Sequence, residues 1–268
     1  LGLNLLDGGD GDDRFVFRPG GVAGADRDFV AGGDGEDTLD FSAFNVAVTI
    51  NLASFALQNV VAGGLQVALI SLSGPTVEEI ENVIGGSAGD TLTGNALDNR
   101  ITGGGGADTI SGGGGTNTVV ETADADMLLT NVSLTIGAVG DILANIQHAE
   151  LTGGASGNTI DASAFTQGSV ILSGLGRNDR LIGGADGDTL IGGANNDLLR
   201  GMGGNDTYLF DADQVLGDDV VDEFRHASAF VRAVGELRGV VTDDLHLGGE
   251  IAGVLVAGAL QDAGGTGG

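Results

Sequence analysis

The sequence contains no cysteine, no tryptophan and no lysine, and only two prolines and one tyrosine in 268 residues. Without cysteine there are no disulfides and no thiolate metal sites. Without lysine there is no phosphate-binding P-loop. With aromatics at 4%, a bulky globular core has little to be built from. Long apolar runs are also missing. Residues 41–77 carry no charge, yet Asn51, Gln58, Asn59, Gly63, Gly64 and Gln66 interrupt them. A spanning helix needs about 20 mostly apolar residues, so no membrane span is expected. Instead "VAVTINL" (46–52) and "LQVALIS" (65–71) read as strands by alternation. "IAGVLVAGAL" (251–260) is too short to span. No N-terminal signal peptide is visible, and the first residue is Leu, so the chain reads as a piece of a longer one.

What is abundant is glycine, 52 residues, and negative charge, net −28. A strict three-residue glycine period is absent, which excludes collagen. The acids are 29 Asp against 9 Glu, opposed by ten Arg. A merely solvated acidic surface would use Glu as freely. Asp suits turns and holds its carboxylate close to the backbone. This charge makes nucleic acid an unsuitable partner and a hard cation a suitable one.

Glycine pairs set a nine-residue period. It is plain in "GGDGDDRFV" (8–16), "GGDGEDTLD" (32–40) and "GGGGADTIS" (103–111). Four copies run without a gap from 85 to 120, and four more from 174 to 209; "GGASGNTID" (153–161) is a weaker one. Asp or Asn stands at position six and an apolar residue at position eight: Leu92, Ile101, Ile110, Val119, Leu181, Leu190, Leu199 and Tyr208. This pattern predicts a six-residue turn followed by a three-residue strand with position eight facing inward. So short a strand buries nothing alone, so the copies must stack as a solenoid. "TLDFSAF" (38–44) and "TIDASAF" (159–165) echo each other at longer range. Residues 41–84 and 121–152 read as longer coils without metal turns, some as hairpins. The expected organisation is 1–84 (N-terminal coils with two metal-type turns), 85–120 (first block), 121–152 (non-metal coils), 153–222 (second block) and 223–268 (cap or tail).

The nonapeptide G-G-x-G-x-D-x-U-x resembles the repeats-in-toxin family. The resemblance implies an all-β fold, a parallel β-roll in which two nonapeptides make one turn and Ca²⁺ ions lie between successive turns on each edge. It also implies a secreted bacterial origin, among toxins, proteases, lipases, epimerases, adhesins and surface-layer proteins. Many of these leave by a type I channel with an uncleaved C-terminal signal. Ligand pairs are then position-six residues 18 apart: Asp90 with Asp108, Asp179 with Asp197, and Asp188 with Asp206. Asn99 with Asn117 offers only neutral carbonyls and should be weak or empty. Family geometry adds turn carbonyls, here Gly86, Ala88, Gly103, Gly105, Gly184, Asp186, Gly192, Ala194, Gly201 and Gly203. Asp13 and Asp37 are 24 apart and fit the spacing less well.

Other motifs carry less. "GGSAG" (85–89) spells a nucleophile elbow at Ser87, but that motif needs a strand before and a helix after it. His148, His226 and His246 are far apart and form no H-E-x-x-H. Carboxylate pairs are already explained by the repeat. In "DEFRHASAFVRAVGELR" (222–238), Phe230, Val234 and Leu237 recur at helical spacing, predicting a capping helix. No array of exposed Thr or aromatic residues marks an adhesive surface. The expected protein is a non-catalytic, calcium-binding structural or adhesive module, extracellular or at the cell surface. Two alternatives are an accessory module of an extracellular enzyme and a self-assembling surface-layer or filament subunit.

Overall fold

The computed structural model describes residues 3–20, 27–72, 74, 79–211, 219–221 and 230–234. Among them there is no helix, and therefore none long and apolar enough to cross a membrane. The chain winds as a parallel β-roll. Sheet I stacks Arg14–Val16, Thr38–Asp40, Asn82–Ile84, Arg100–Thr102, Thr118–Thr122, His148–Thr152, Val170–Gly176, Thr189–Ala194, Thr207–Asp211 and Phe230–Val234, all parallel. Sheet II stacks Thr49–Asn51, Thr91–Thr93, Thr109–Ser111, Val139–Ala144, Ser133–Ile136, Met127–Thr130, Thr159–Ala164, Arg180–Ile182, Leu198–Arg200 and Val220–Val221. A smaller sheet at the N-terminal end holds Leu3–Asp10, Arg27–Asp34, Gln66–Leu69 and Gln58–Asn59.

Position eight explains the winding. Leu92, Ile110, Leu181 and Leu199 lie in sheet II; Ile101, Val119, Leu190 and Tyr208 lie in sheet I; all eight are 0% exposed. Successive nonapeptides therefore deliver alternate walls of one core, and residues 18 apart pair in register, as Ile110 with Leu92 and Tyr208 with Leu190. Burying each such side chain stabilises by about 1.5–3 kcal/mol. That is what holds strands of only three residues.

The departures from strict period lie where the repeat lapses. Met127–Thr130, Ser133–Ile136 and Val139–Ala144 form an antiparallel meander inserted into sheet II. Within 41–84, Gln58–Asn59 pairs antiparallel with Gln66–Leu69. Phe17, Phe41 and Phe44 fill the N-terminal core, with Phe17 stacked on Phe41 at 4.9 Å. Two expectations need correction. Phe230–Val234 is a strand paired with Thr207–Asp211, not part of a helix; residues 222–229 and 235–268, with His226 and His246, lie outside the described residues. A short exposed threonine column does exist: Thr49, Thr91 and Thr109 align across sheet II.

Candidate metal centre

Each glycine of the turn answers a different steric demand. Positions two and four take positive φ, as Gly104 (86°) and Gly106 (108°), or Gly33 (109°) and Gly35 (139°). Only glycine adopts these without strain. Position one has no such φ but no room for a side chain. A Cβ at Gly174 would lie 2.6 Å from the Gly192 carbonyl oxygen and against Asp179 Oδ2. At Gly183 it would lie 2.5 Å from the Gly201 carbonyl oxygen and against Asp188 Oδ2. At Gly85 it would meet the Gly103 carbonyl oxygen and, at 2.5 Å, Asp90 Oδ2. The missing methyl thus leaves a cradle between a position-six carboxylate and a carbonyl of the next coil.

Position-six side chains also form a ladder along each edge. The N–H of one donates to the side-chain oxygen of the next coil's residue. On the edge feeding sheet II, Val48 donates to Asp90 (2.8 Å), Asp90 to Asp108 (2.6 Å) and Asp108 to Asp141 (2.8 Å). The same edge continues with Asn158 to Asp179 (2.7 Å), Asp179 to Asp197 (2.7 Å) and Asp197 to Asp219 (2.9 Å). On the edge feeding sheet I, Asp13 donates to Asp37 (2.9 Å) and Asp37 to Glu81 (2.8 Å). Further along, Asn99 donates to Asn117 (3.1 Å), Asn117 to Gln147 (2.8 Å), Val170 to Asp188 (2.8 Å) and Asp188 to Asp206 (2.9 Å).

One carboxylate oxygen is used in this way; the fate of the other divides the turns. In Asp13, Asp37, Asp108, Asp179 and Asp197, Oδ2 is buried without a hydrogen-bond partner. In Asp90 and Asp188 it closes back on the turn's own position-two N–H, from Gly86 (2.5 Å) and Gly184 (2.6 Å). The two groups differ in backbone. All five turns whose oxygen is left over have positive φ at positions two and four, a backbone the Asp206 turn shares at Met202 and Gly204. The Asn99/Asn117 pair differs again. Asn99 Nδ2 donates to the Glu81 carbonyl (2.7 Å), and Asn117 Nδ2 donates to the carbonyls of Gly114 (2.9 Å) and Asn145 (3.0 Å). Amide hydrogens there point at carbonyls that could otherwise face a cation.

Buried carboxylates resist ionisation. Burial pushes Asp188 and Asp197 up to about 7 and Asp108 up to about 6. It raises Asp37, Asp90, Asp141 and Asp179 as well. Glu121, also for burial first, is pushed up to about 8; its Oε1 accepts the N–H of Gly103 (2.6 Å) and Gly104 (3.1 Å). A leftover buried oxygen costs on the order of 1–3 kcal/mol, more when charged. A hard cation in the cradle removes that cost, and the donors there are all oxygens, which suits Ca²⁺. Among the described residues no three carboxylate or imidazole side chains converge on one point. An ion would therefore take most of its ligands from backbone carbonyls.

The structure brings each proposed pair into adjacent coils, including Asp13 and Asp37 despite their spacing of 24. Of the carbonyl candidates, Gly103, Gly192 and Gly201 open onto cradles. Gly86 and Gly184 already accept the N–H of Gly105 (3.0 Å) and Gly203 (3.2 Å), which leaves one lone pair each. Ala88 and Asp186 face Gly106 and Gly204 in the next coil. Ala194 sits in a strand opposite Gly176. Sequence reasoning missed Glu81 and Glu121, although Glu81 lies 18 before Asn99 and Glu121 lies 18 after Gly103. Nothing in the spacing points to Asp141, 33 residues beyond Asp108. Ser87 is a repeat-turn residue; its N–H bonds the Phe44 carbonyl at 2.9 Å. His148 Nδ1 meets Ser169 Oγ at 2.9 Å.

Comparison with known proteins agrees with this geometry. The model of the RTX calcium-binding nonapeptide repeat matches in four copies, at residues 2–20, 22–45, 84–119 and 173–208. Serralysin G of Dickeya chrysanthemi is 44% identical over 66 residues, which make up 25% of this chain and 13% of that protein. The chain thus spans a small fraction of that relative. The repeats, the roll they build and the cradles at their turns together show that this chain carries RTX calcium-binding nonapeptide repeats.

Proposed function

We propose that this chain is the calcium-folded structural or adhesive module of a larger secreted or surface-attached bacterial protein, and that it performs no chemistry of its own. The observation that carries this reading is a set of five buried aspartate oxygens without hydrogen-bond partners, on Asp13, Asp37, Asp108, Asp179 and Asp197. Each sits beside a position-one glycine whose Cβ it would touch, at Gly8, Gly32, Gly103, Gly174 and Gly192. Calcium supplies charge neutralisation and a cross-link between neighbouring coils. Asp108, Asp179, Asp197, Asp188 and Asp206 hold it, with carbonyls such as Gly192 and Gly201; Asp13 and Asp37 hold it at the N-terminal end. Repeat blocks that need calcium to fold stay unfolded in a low-calcium cytosol, which suits passage through a type I secretion channel. Calorimetric titration with Ca²⁺, paired with far-ultraviolet circular dichroism in chelator, tests the reading. Several ions bound and a β-signal that depends on them are expected. A β-signal unchanged in chelator, with no ions retained, overturns it.

A second reading is an accessory module of an extracellular enzyme. It is favoured by the 44% match to serralysin G, which covers 13% of that protein. The flanking sequence of the full gene separates the two, since a catalytic domain upstream decides for the second. Electron microscopy with Ca²⁺ tests self-assembly.

A further inference from the structure

We infer that the roll contains a calcium-independent middle, residues 118–173, which keeps its fold when calcium is removed and separates two calcium-dependent flanks. This rests on the calcium reading above. The five unpartnered carboxylate oxygens named there, on Asp13, Asp37, Asp108, Asp179 and Asp197, all lie outside this segment.

Inside it, the turns are satisfied by the protein's own side chains. Glu121, near the end of the strand Thr118–Thr122, and Asp124, in the turn after it, bond in opposite directions. Glu121 Oε1 takes the N–H groups of Gly103 and Gly104 in the preceding coil. Asp124 takes the N–H (3.0 Å) and hydroxyl (3.1 Å) of Ser156 in the following one. Asp126 Oδ1 adds the Thr159 N–H at 2.7 Å. Asn158 closes its own turn on the Gly154 N–H at 2.8 Å. On the other edge Gln147 continues the neutral amide ladder of Asn99 and Asn117. Asn131 and Thr166 exchange two hydrogen bonds, at 2.9 and 2.8 Å. Glu121, Asn158, Asn99 and Asn117 are the buried members of this set, and satisfied buried polar groups need no ion to offset their desolvation.

The strands are also longer here. Thr118–Thr122, His148–Thr152, Thr159–Ala164 and Val170–Gly176 have five to seven residues, whereas most repeat strands have three. Three antiparallel strands join them and bury Met127, Leu129, Leu134 and Leu143. Phe165 and Leu172 are 0% exposed. A meander with a buried face closes local contacts that a single-file repeat lacks.

Hydrogen exchange followed by mass spectrometry, on the full chain in Ca²⁺ and in chelator at one pH, tests this. Expected is slow exchange kept in 118–173 in chelator, with protection lost at 85–111 and 180–209. Loss of protection everywhere overturns the inference and leaves the calcium reading standing. Protection kept everywhere overturns both. The cause is tested with Asn117→Asp combined with Gln147→Glu, which makes this edge acidic, as the other edge already is at Asp141. In chelator, protection of 118–122 and 148–152 should fall at least about tenfold, and Ca²⁺ should restore it. Unchanged protection would show that the neutral ladder is not what frees the middle from calcium.

Discussion

Acid should replace calcium in this fold. The perturbation is pH, in chelator, so that no ion competes. Asp188 and Asp197 have ordinary values of 3.8, and burial raises both to about 7. Asp108 rises from the same value to about 6. A carboxyl that binds its proton more tightly when folded adds stability that is complete below the unfolded value near 3.8. That stability disappears as pH rises through the folded value near 7. A difference of three units corresponds to roughly 4 kcal/mol per group. Asp188 shares its field with Asp206 and Asp186, and Asp197 with Asp219 and Asp179, so neighbouring groups titrate together. Half the single-group value for two such groups still gives about 4 kcal/mol, a large share of the 5–15 kcal/mol typical of a domain. Circular dichroism and thermal melts in chelator, from about pH 8 down to about pH 5, should show the β-signal returning on acidification. In Ca²⁺ the order reverses: each ion displaces protons, so affinity should fall across the same range. A chelated chain that loses β-structure steadily on acidification would refute the argument.

Three smaller perturbations follow from the turns. Gly183→Ala places a methyl 2.5 Å from the Gly201 carbonyl and against Asp188 Oδ2, so it should abolish one ion in a calorimetric titration and spare the Asp90/Asp108 edge. Leu175 is 50% exposed and holds φ at 74°, in a position where the repeat prefers glycine. Leu175→Gly should therefore raise stability in Ca²⁺ by about 1 kcal/mol, read from denaturant melts. A refined structure in saturating Ca²⁺ should show no ion between Asn99 and Asn117, because their amide hydrogens already occupy the facing carbonyls.

Much of this was legible because a solenoid writes its geometry as a period. Eighteen residues separate Asp90 from Asp108 and Ile110 from Leu92, and the pairing follows that number. It fails where structure is local rather than periodic. The meander at 127–144 interposes two antiparallel strands between Asp108 and Asp141, and no spacing announces it. Phe230, Val234 and Leu237 do recur at helical spacing, yet Phe230–Val234 joins Thr207–Asp211 as a strand. An open sheet edge offers ready hydrogen-bond partners, and tertiary pairing overrides a weak local period.

The echo between "TLDFSAF" and "TIDASAF" has a structural meaning that its sequence alone does not reveal. In each, the Asp side chain accepts the N–H two residues on, Ser42 to Asp40 (2.8 Å) and Ser163 to Asp161 (2.9 Å). A tight turn then follows, Phe44 to Phe41 (2.9 Å) and Phe165 to Ala162 (2.8 Å), which buries Phe44 and Phe165. The two phenylalanine carbonyls lie directly over Gly86 and Gly184, 2.5 and 2.7 Å from where a Cβ would stand. Those glycines belong to the turns of Asp90 and Asp188, the two aspartates that close on their own N–H groups. These two turns thus pack under an Asx-turn cap rather than under another repeat. Under that cap each carboxylate satisfies itself on its own turn. The next turn on the edge of Asp90, at Asp108, has a repeat turn above it and keeps an oxygen free. What a turn stacks under therefore changes the partners of its aspartate, although all of them occupy the same position in the repeat.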